Sequence, residues 1–192
     1  IRRDGEFTPL YVAAEFNQVE VVKLLLSIGV DMNAKAADGC SALYIACQKG
    51  NLEVVNLLLA AGVDINAKRP LGFTSLYVAS EYGRSNVVKT LIEHGAEIDA
   101  ATQDGTTPLY IAAQESHVFI VEMLIKAGAN VNRRRVKGFS AIYVASEYGN
   151  VDVVKKLVEF GADVDARTEE GSNAFYSMCC CCCFFFCTSE TH

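Results

Sequence analysis

Histidine, positive charge and long apolar runs are scarce in this 192-residue chain, and each shortage argues against a class of function. The chain has three histidines and a formal net charge of -6. Because a phosphate backbone binds to a basic face, the acidic balance argues against a nucleic-acid partner. No apolar run approaches the roughly 20 residues that a membrane-spanning helix needs. We therefore expect neither nucleic-acid binding nor a transmembrane span.

Signatures of catalysis and of metal binding are also missing. No histidine stands with a serine or cysteine in a recognisable nucleophile motif. The chain before residue 179 has no Cys-x-x-Cys or His-x-x-x-His pair with the spacing of zinc ligands. A glycine-rich phosphate loop is absent as well. We expect no enzymatic activity, no catalytic residue, no metal site and no cofactor.

The cysteines favour a reducing compartment. Of eight cysteines, Cys40 and Cys47 lie in the regular part of the chain, and the other six fall within residues 179–187. Small secreted domains instead space their cysteines as a framework of disulfides. No Asn-x-Ser/Thr glycosylation acceptor occurs either. The prediction is a cytoplasmic, or more broadly intracellular, protein.

What the chain does have is a repeat with a constant step of 33 residues. Six tyrosines keep this step, namely Tyr11, Tyr44, Tyr77, Tyr110, Tyr143 and Tyr176. Five glycines keep it too, namely Gly29, Gly62, Gly95, Gly128 and Gly161. No residue is inserted or deleted between Thr8 and Ala166. Such a period predicts stacked units, because one short unit cannot bury both of its faces.

Each unit has the pattern of two short helices and a turn. Thr8-Pro9 and Thr107-Pro108 place a capping hydroxyl ahead of a proline at the first helical position. In the second helix, residues 54, 55 and 57–59 are apolar and recur at helical spacing, and Gly62 ends the helix. A polar stretch then leads to the next unit as an extended finger or turn.

These residues resemble the ankyrin repeat, whose 33-residue unit carries a Thr-Pro-Leu-His-x-Ala signature. The chain has Thr8-Pro9-Leu10-Tyr11-Val12-Ala13, a second close copy from Thr107, and looser copies from Ser41, Thr74 and Ser140. The resemblance covers residues 4–178 and implies an all-α solenoid of helix-turn-helix units with extended finger loops. Tyrosine stands where the family has histidine. The resemblance therefore does not predict, for this chain, the hydrogen bonds that this imidazole makes between adjacent repeats.

The predicted ankyrin-repeat domain covers residues 1–178. Its units lie near residues 4–37, 38–70, 71–103, 104–136 and 137–169 (units one to five), with a partial sixth over 170–178. Residues 179–192 are a cysteine- and phenylalanine-rich tail in place of a second helix. We weigh three interpretations of the tail. In the first, the true reading frame or domain stops near Tyr176 and the rest is not selected protein sequence. The second is a palmitoylated membrane anchor, and the third is a metal or redox site. The third is disfavoured, because five adjacent cysteines cannot all converge on one ion.

A longer, 66-residue period distinguishes odd units from even ones. The residue before the capping Thr or Ser is aromatic only in odd units, as Phe7, Phe73 and Phe139. Each first helix contains a pair of small residues, such as Ala13-Ala14 in unit one. The second residue after this pair is also aromatic only in odd units, as Phe16, Tyr82 and Tyr148. Even units carry Cys40 and Thr106 at the first position and Lys49 and Glu115 at the second.

In ankyrin proteins these positions on the finger and the inner helix face the concave groove where partners commonly bind. The resemblance therefore implies a set of partner-binding residues: Phe7, Phe16, Phe73, Tyr82, Phe139 and Tyr148. Exposed aromatic side chains supply large contact area at low entropic cost, which suits an interface. The alternative is that each phenylalanine packs on the tyrosine of its own unit and helps the fingers to stack.

A basic cluster, Arg133–Arg135 with Lys137, lies on the finger that enters unit five. We interpret it as a solvated finger, with contact to an acidic partner as the alternative.

The function that the resemblance implies is protein–protein interaction, as a scaffold or adaptor that binds another protein through the concave face. A second hypothesis is a regulatory ankyrin segment of a larger enzyme or channel. The start at Ile1, without a methionine or a signal-peptide pattern, favours that second hypothesis. A third is an adaptor anchored to lipid through the tail.

Overall fold

The computed structural model describes residues 7–172, and within that range the chain is a series of helix pairs. It divides into an N-terminal body, residues 1–103, and a C-terminal body, residues 104–192. The N-terminal body contains α1 (Pro9–Glu15), α2 (Val19–Ser27), α3 (Ala42–Lys49), α4 (Leu52–Ala60), α5 (Ser75–Glu81) and α6 (Ser85–Glu93). The C-terminal body contains α7 (Pro108–Gln114), α8 (Val118–Lys126), α9 (Ala141–Glu147) and α10 (Val151–Glu159).

The all-α, helix-turn-helix prediction is confirmed over the described residues. Between the helix pairs run fingers, two of which contain a short 3₁₀ turn, at Pro70–Gly72 and Val136–Gly138. The only pairing of extended backbone in this range consists of two isolated bridges, Lys35 with Ser41 and Arg134 with Ser140. Phe175, Tyr176, the rest of the partial sixth unit after residue 172 and the tail lie outside the described residues.

A hydroxyl side chain starts the first helix of each of units one to five. Each of these oxygens accepts a hydrogen bond from the tyrosine N–H three residues later, at 3.1–3.4 Å. The capping residues are Thr8, Ser41, Thr74, Thr107 and Ser140. Because the bond pairs an N–H that the helix itself leaves unpaired, it fixes where each helix begins.

The turn between the two helices of a unit requires a left-handed residue. Gly50 supplies it in unit two with φ of 82°, and Asn17 and Ser116 adopt the same conformation with φ of 54° and 61°. Asparagine tolerates this region through local hydrogen bonding, and serine tolerates it less well. The turn therefore has the same left-handed conformation in all three units, including those with Asn or Ser in place of glycine.

Neighbouring units of one body pack through small residues on their first helices. Helix α1 packs on α3, α3 on α5, and α7 on α9. The small residues in these helices are fully buried, namely Ala14, Ala46, Cys47, Ala79, Ala113 and Ala145. The second helices add large buried side chains such as Leu58 and Leu91. The core is therefore shared between units, because no helix pair encloses it alone.

The fingers of adjacent units are joined by an asparagine ladder. The Asn33 Oδ1 atom accepts a hydrogen bond from the Asp64 N–H at 2.9 Å, and Asn66 Oδ1 accepts one from the Glu97 N–H at 2.9 Å. In the C-terminal body, Asn132 Oδ1 accepts one from Asp163 at 2.8 Å. These bonds fix the spacing of the fingers.

Truncation of a shared core residue tests this packing. We expect Leu58→Ala to lower the free energy of unfolding by about 2–5 kcal/mol, because it leaves a cavity in a fully buried site. The matched control is Leu24→Ala, which we expect to cost less than about 1 kcal/mol, because Leu24 is 60% exposed. Chemical denaturation followed by circular dichroism measures both. Equal losses would contradict a core placed at Leu58.

Candidate partner-binding site

The phenylalanines that precede the capping residues pack on the tyrosine of their own unit. The ring centroids of Phe7 and Tyr11 lie 4.9 Å apart, and those of Phe73 and Tyr77 also lie 4.9 Å apart. In the C-terminal body the same pair, Phe139 and Tyr143, has a centroid distance of 5.0 Å. All three phenylalanines are half-buried. Part of each ring is therefore committed to the packing of a finger on its first helix.

The aromatics at the ends of the first helices have a different environment. Phe16, Tyr82 and Tyr148 are the C-terminal caps of α1, α5 and α9, and they are 57%, 46% and 61% exposed. Their backbone N–H groups close the last helical turn, with N to O distances of 3.2, 3.1 and 3.0 Å. The helix thus holds the backbone of each residue while its ring projects into solvent.

The structure also reveals ring contacts of two arginines: Arg69, which the sequence analysis did not single out, and Arg135, whose contacts it did not predict. The Arg69 guanidinium carbon lies 5.2 Å from the centroid of the Tyr44 ring and 5.7 Å from that of Phe73. Arg135 is its counterpart in the C-terminal body, 5.3 Å from Tyr110 and 5.9 Å from the Phe139 ring. Each arginine therefore contacts two rings, one from an even unit and one from the following odd unit. Their 66-residue separation was the available signal.

These arginines also bond the tyrosines that replace the family's histidine in even units. Arg69 Nη1 donates to the Tyr44 hydroxyl at 3.3 Å, and Arg135 Nη1 lies 3.5 Å from the Tyr110 hydroxyl. Burial raises the pKa of Tyr44 and of Tyr110, while the neighbouring arginine opposes that rise. Both phenols therefore stay neutral near pH 7 and can accept from the arginine.

The interpretation of the basic cluster as a solvated finger is wrong for Arg135. Its side chain is 30% exposed and its Nη2 atom pairs with Asp104 Oδ2 at 3.1 Å. The ring contacts and this ion pair hold it against the protein. Arg133, Arg134 and Lys137 are exposed, as expected.

The comparison with known families agrees with this geometry. A family model described as ankyrin repeats (3 copies) matches residues 2–69 and 76–168. The chain belongs to the ankyrin-repeat family. The resemblance in the signature residues is thereby confirmed. Ankyrin repeats are generally protein–protein interaction modules, and proteins built from them are typically non-catalytic scaffolds. Among curated proteins, no match was found.

The two cysteines of this ankyrin-repeat domain are structural. Cys40 and Cys47 are both buried free thiols. Burial raises the pKa of Cys40 to about 12, and burial also raises the pKa of Cys47 far above its ordinary value. Because the thiolate is the reactive form, neither group is suited to act as a nucleophile near neutral pH.

Two further findings on the ankyrin protein concern metals and membranes. Residues 7–172 contain no group of three or more His, Cys, Asp or Glu side chains that could hold a metal ion. None of the helices in that range is both long enough and apolar enough to span a bilayer.

A double-mutant cycle tests the arginine contact. We expect Arg69→Met to lower the free energy of unfolding by about 1–2 kcal/mol, because it removes a charge stacked on two rings. Tyr44→Phe removes the hydroxyl that Arg69 bonds. The two changes should show a coupling energy of about 0.5–1 kcal/mol, measured by urea denaturation. The matched control is Lys68→Met, the exposed neighbour, which should not couple to Tyr44→Phe. Strictly additive effects of the first pair would contradict the contact.

Proposed function

We propose that the protein is a scaffold or adaptor that binds a partner protein through the surface formed by its fingers and first helices. That surface is the concave side in the ankyrin family. The observation that carries the proposal is the exposure of one aromatic ring at the end of the first helix in each odd unit, as Phe16, Tyr82 and Tyr148. Rings anchored on a rigid helix lose little entropy when a partner covers them.

Polar neighbours support the same proposal. Each exposed aromatic follows a glutamate, giving Glu15-Phe16, Glu81-Tyr82 and Glu147-Tyr148. Even units have Gln48-Lys49 and Gln114-Glu115 instead. Apolar anchors bordered by polar side chains are the common composition of a protein interface, with the anchors supplying most of the affinity. The N-terminal body thus offers two such anchors, in units one and three, and the C-terminal body offers one, in unit five.

The six candidate residues receive two roles in this proposal. Phe16, Tyr82 and Tyr148 contact the partner directly. Phe7, Phe73 and Phe139 hold the fingers in place through their tyrosine contacts and expose only the rest of their rings. The groove hypothesis thus applies to the aromatics at the ends of the first helices. The finger-packing alternative applies to the three phenylalanines that precede the capping residues.

The proposal places this surface in an ankyrin-repeat domain over residues 1–178, with the unit boundaries given above. It also places the protein in an intracellular compartment, on the evidence of its cysteine pattern. The partner is another protein, which would contact the exposed aromatic rings of this surface.

Alanine substitutions separate the two roles. We expect Tyr82→Ala and Tyr148→Ala each to weaken partner binding by about 1–2 kcal/mol with little loss of stability, because these residues are 46% and 61% exposed. Phe73→Ala and Phe139→Ala should instead lower the thermal midpoint, because they remove a ring contact inside the finger. Affinity capture with the wild-type chain supplies the partner, and calorimetry on the purified pair measures affinity.

Even units provide the matched controls. Lys49→Ala and Glu115→Ala truncate the polar residues at the equivalent position, and both should retain the partner. A partner that is lost equally with these controls would contradict aromatic anchoring. So would a tyrosine variant that binds normally but melts early, since the ring would then serve packing alone.

A further inference from the structure

A small polar pocket lies between the helix-to-helix turns of units two and three. Its volume is about 290 Å³. Lys49 and Gly50 line it from unit two, and residues 83–87 line it from unit three, so the whole pocket belongs to the N-terminal body. Two of its lining residues, Lys49 and Arg84, are cationic and none is acidic. The pocket is thus a local exception in a chain with a net charge of -6.

Arg84 lies across the turn glycine of unit two. A Cβ atom on Gly50 would come within 2.9 Å of Arg84 Cδ, so the glycine leaves the path of this side chain clear. Arg84 Nε donates to the Gln48 carbonyl at 3.0 Å. Among residues 7–172, the two terminal nitrogens of the guanidinium have no hydrogen-bond acceptor. Arg84 therefore keeps a planar pair of donors for a ligand.

Lys49 and the first turn of α6 supply further donors. The Lys49 ammonium lies 3.9 Å from Glu15 Oε1, which is beyond hydrogen-bond distance. The N–H groups of Asn86 and Val87 come too early in α6 for a bond within the helix, and no side chain caps this helix. Two cationic side chains and two backbone N–H groups thus border one pocket whose lining contains no carboxylate.

The equivalent junction in the C-terminal body has different chemistry. Glu115 stands there in the place of Lys49, and Asn150 stands in the place of Arg84. Asp152 adds an acid in the first turn of α10. Asn150 Nδ2 donates to two carbonyls of the preceding unit, at 2.8 and 2.9 Å. Because an asparagine makes the bond between units by itself, the fold does not require the charge of Arg84.

We propose that this pocket binds an anionic oxygen group, a carboxylate or a phosphoryl group, on an acidic side chain of the partner protein. The inference rests on the proposed function, in which the partner covers Tyr82. That residue directly precedes Gly83 of the pocket lining, so a partner on its ring can place a side chain in the pocket. The guanidinium of Arg84 pairs with two oxygens, and Lys49 adds a second positive charge. Charge-assisted hydrogen bonds of this kind are roughly twice as strong as neutral ones.

Titration with inorganic phosphate and with acetate tests the pocket without a partner. At constant ionic strength, we expect phosphate to cause saturable shifts of the backbone amide resonances of Gly83, Asn86 and Val87. Arg84→Asn should weaken this binding by about tenfold or more, because it keeps the bond between units and removes the charged donors. The matched control is Lys89→Gln, an exposed charge on the same helix outside the pocket, which should bind phosphate like the parent chain.

A second variant and the two probes complete the test. Lys49→Gln changes an exposed residue that makes no bond between helices, so it should weaken phosphate binding without affecting the fold. Shifts with acetate indicate that a carboxylate side chain is the ligand, and shifts with phosphate alone indicate a phosphorylated one. The proposal would be overturned if neither ion caused saturable shifts, or if the shifts kept their full size in both variants.

The captured partner then tests the source of the anion. We expect Arg84→Asn to raise the Kd of the partner by about tenfold, in line with its effect on the ions. An unchanged Kd would overturn the assignment of the pocket to the partner. Tyr82→Ala measures aromatic anchoring separately, so failure of the anion pocket and failure of the proposed function give different results.

Discussion

The close approach of first helices is the interaction on which the rest of this fold depends. Ala46 and Cys47 are fully buried at the middle of α3, and Ala79 and Ala145 have the same environment in α5 and α9. Only small side chains allow neighbouring helices to pack at this distance. Because the core is shared between neighbouring units, an inserted residue would displace a helix from its partner, which accounts for the constant 33-residue step.

The 66-residue alternation builds chemistry on this frame. Where even units present a tyrosine in place of the family's histidine, the finger that leads from that unit to the next odd unit supplies an arginine that stacks on its ring. The same finger carries a phenylalanine on the other side of that arginine, so Tyr44, Arg69 and Phe73 form one connected group. Tyr82 and its equivalents remain partly exposed, at 46–61%. In the proposed function, recognition uses these residues, while other members of the same repeating pattern pack the fold.

Most of the fold was predictable from the sequence because its determinants are local. Threonine and serine caps, the left-handed Asn17 and the helix pairs all follow from residues a few positions apart. The site was less predictable, because the sequence treats Phe73 and Tyr82 alike, as aromatics repeated every 66 residues. Only packing shows that the Phe73 ring lies against Tyr77, while Tyr82 is 46% exposed. The role of Arg69 was hidden for the same reason, since its partner Tyr44 lies 25 residues away in the chain, on the first helix of the unit.

Residue-resolved hydrogen exchange on an Ala46→Val variant tests the dependence of each unit on its neighbours most directly. Valine adds two methyl carbons at a fully buried contact, which should cost about 1–3 kcal/mol. The account predicts that protection falls together in α1, α3 and α5, because these helices share the contact. A loss confined to α3 and α4, with α1 and α5 as protected as in the parent chain, would contradict it.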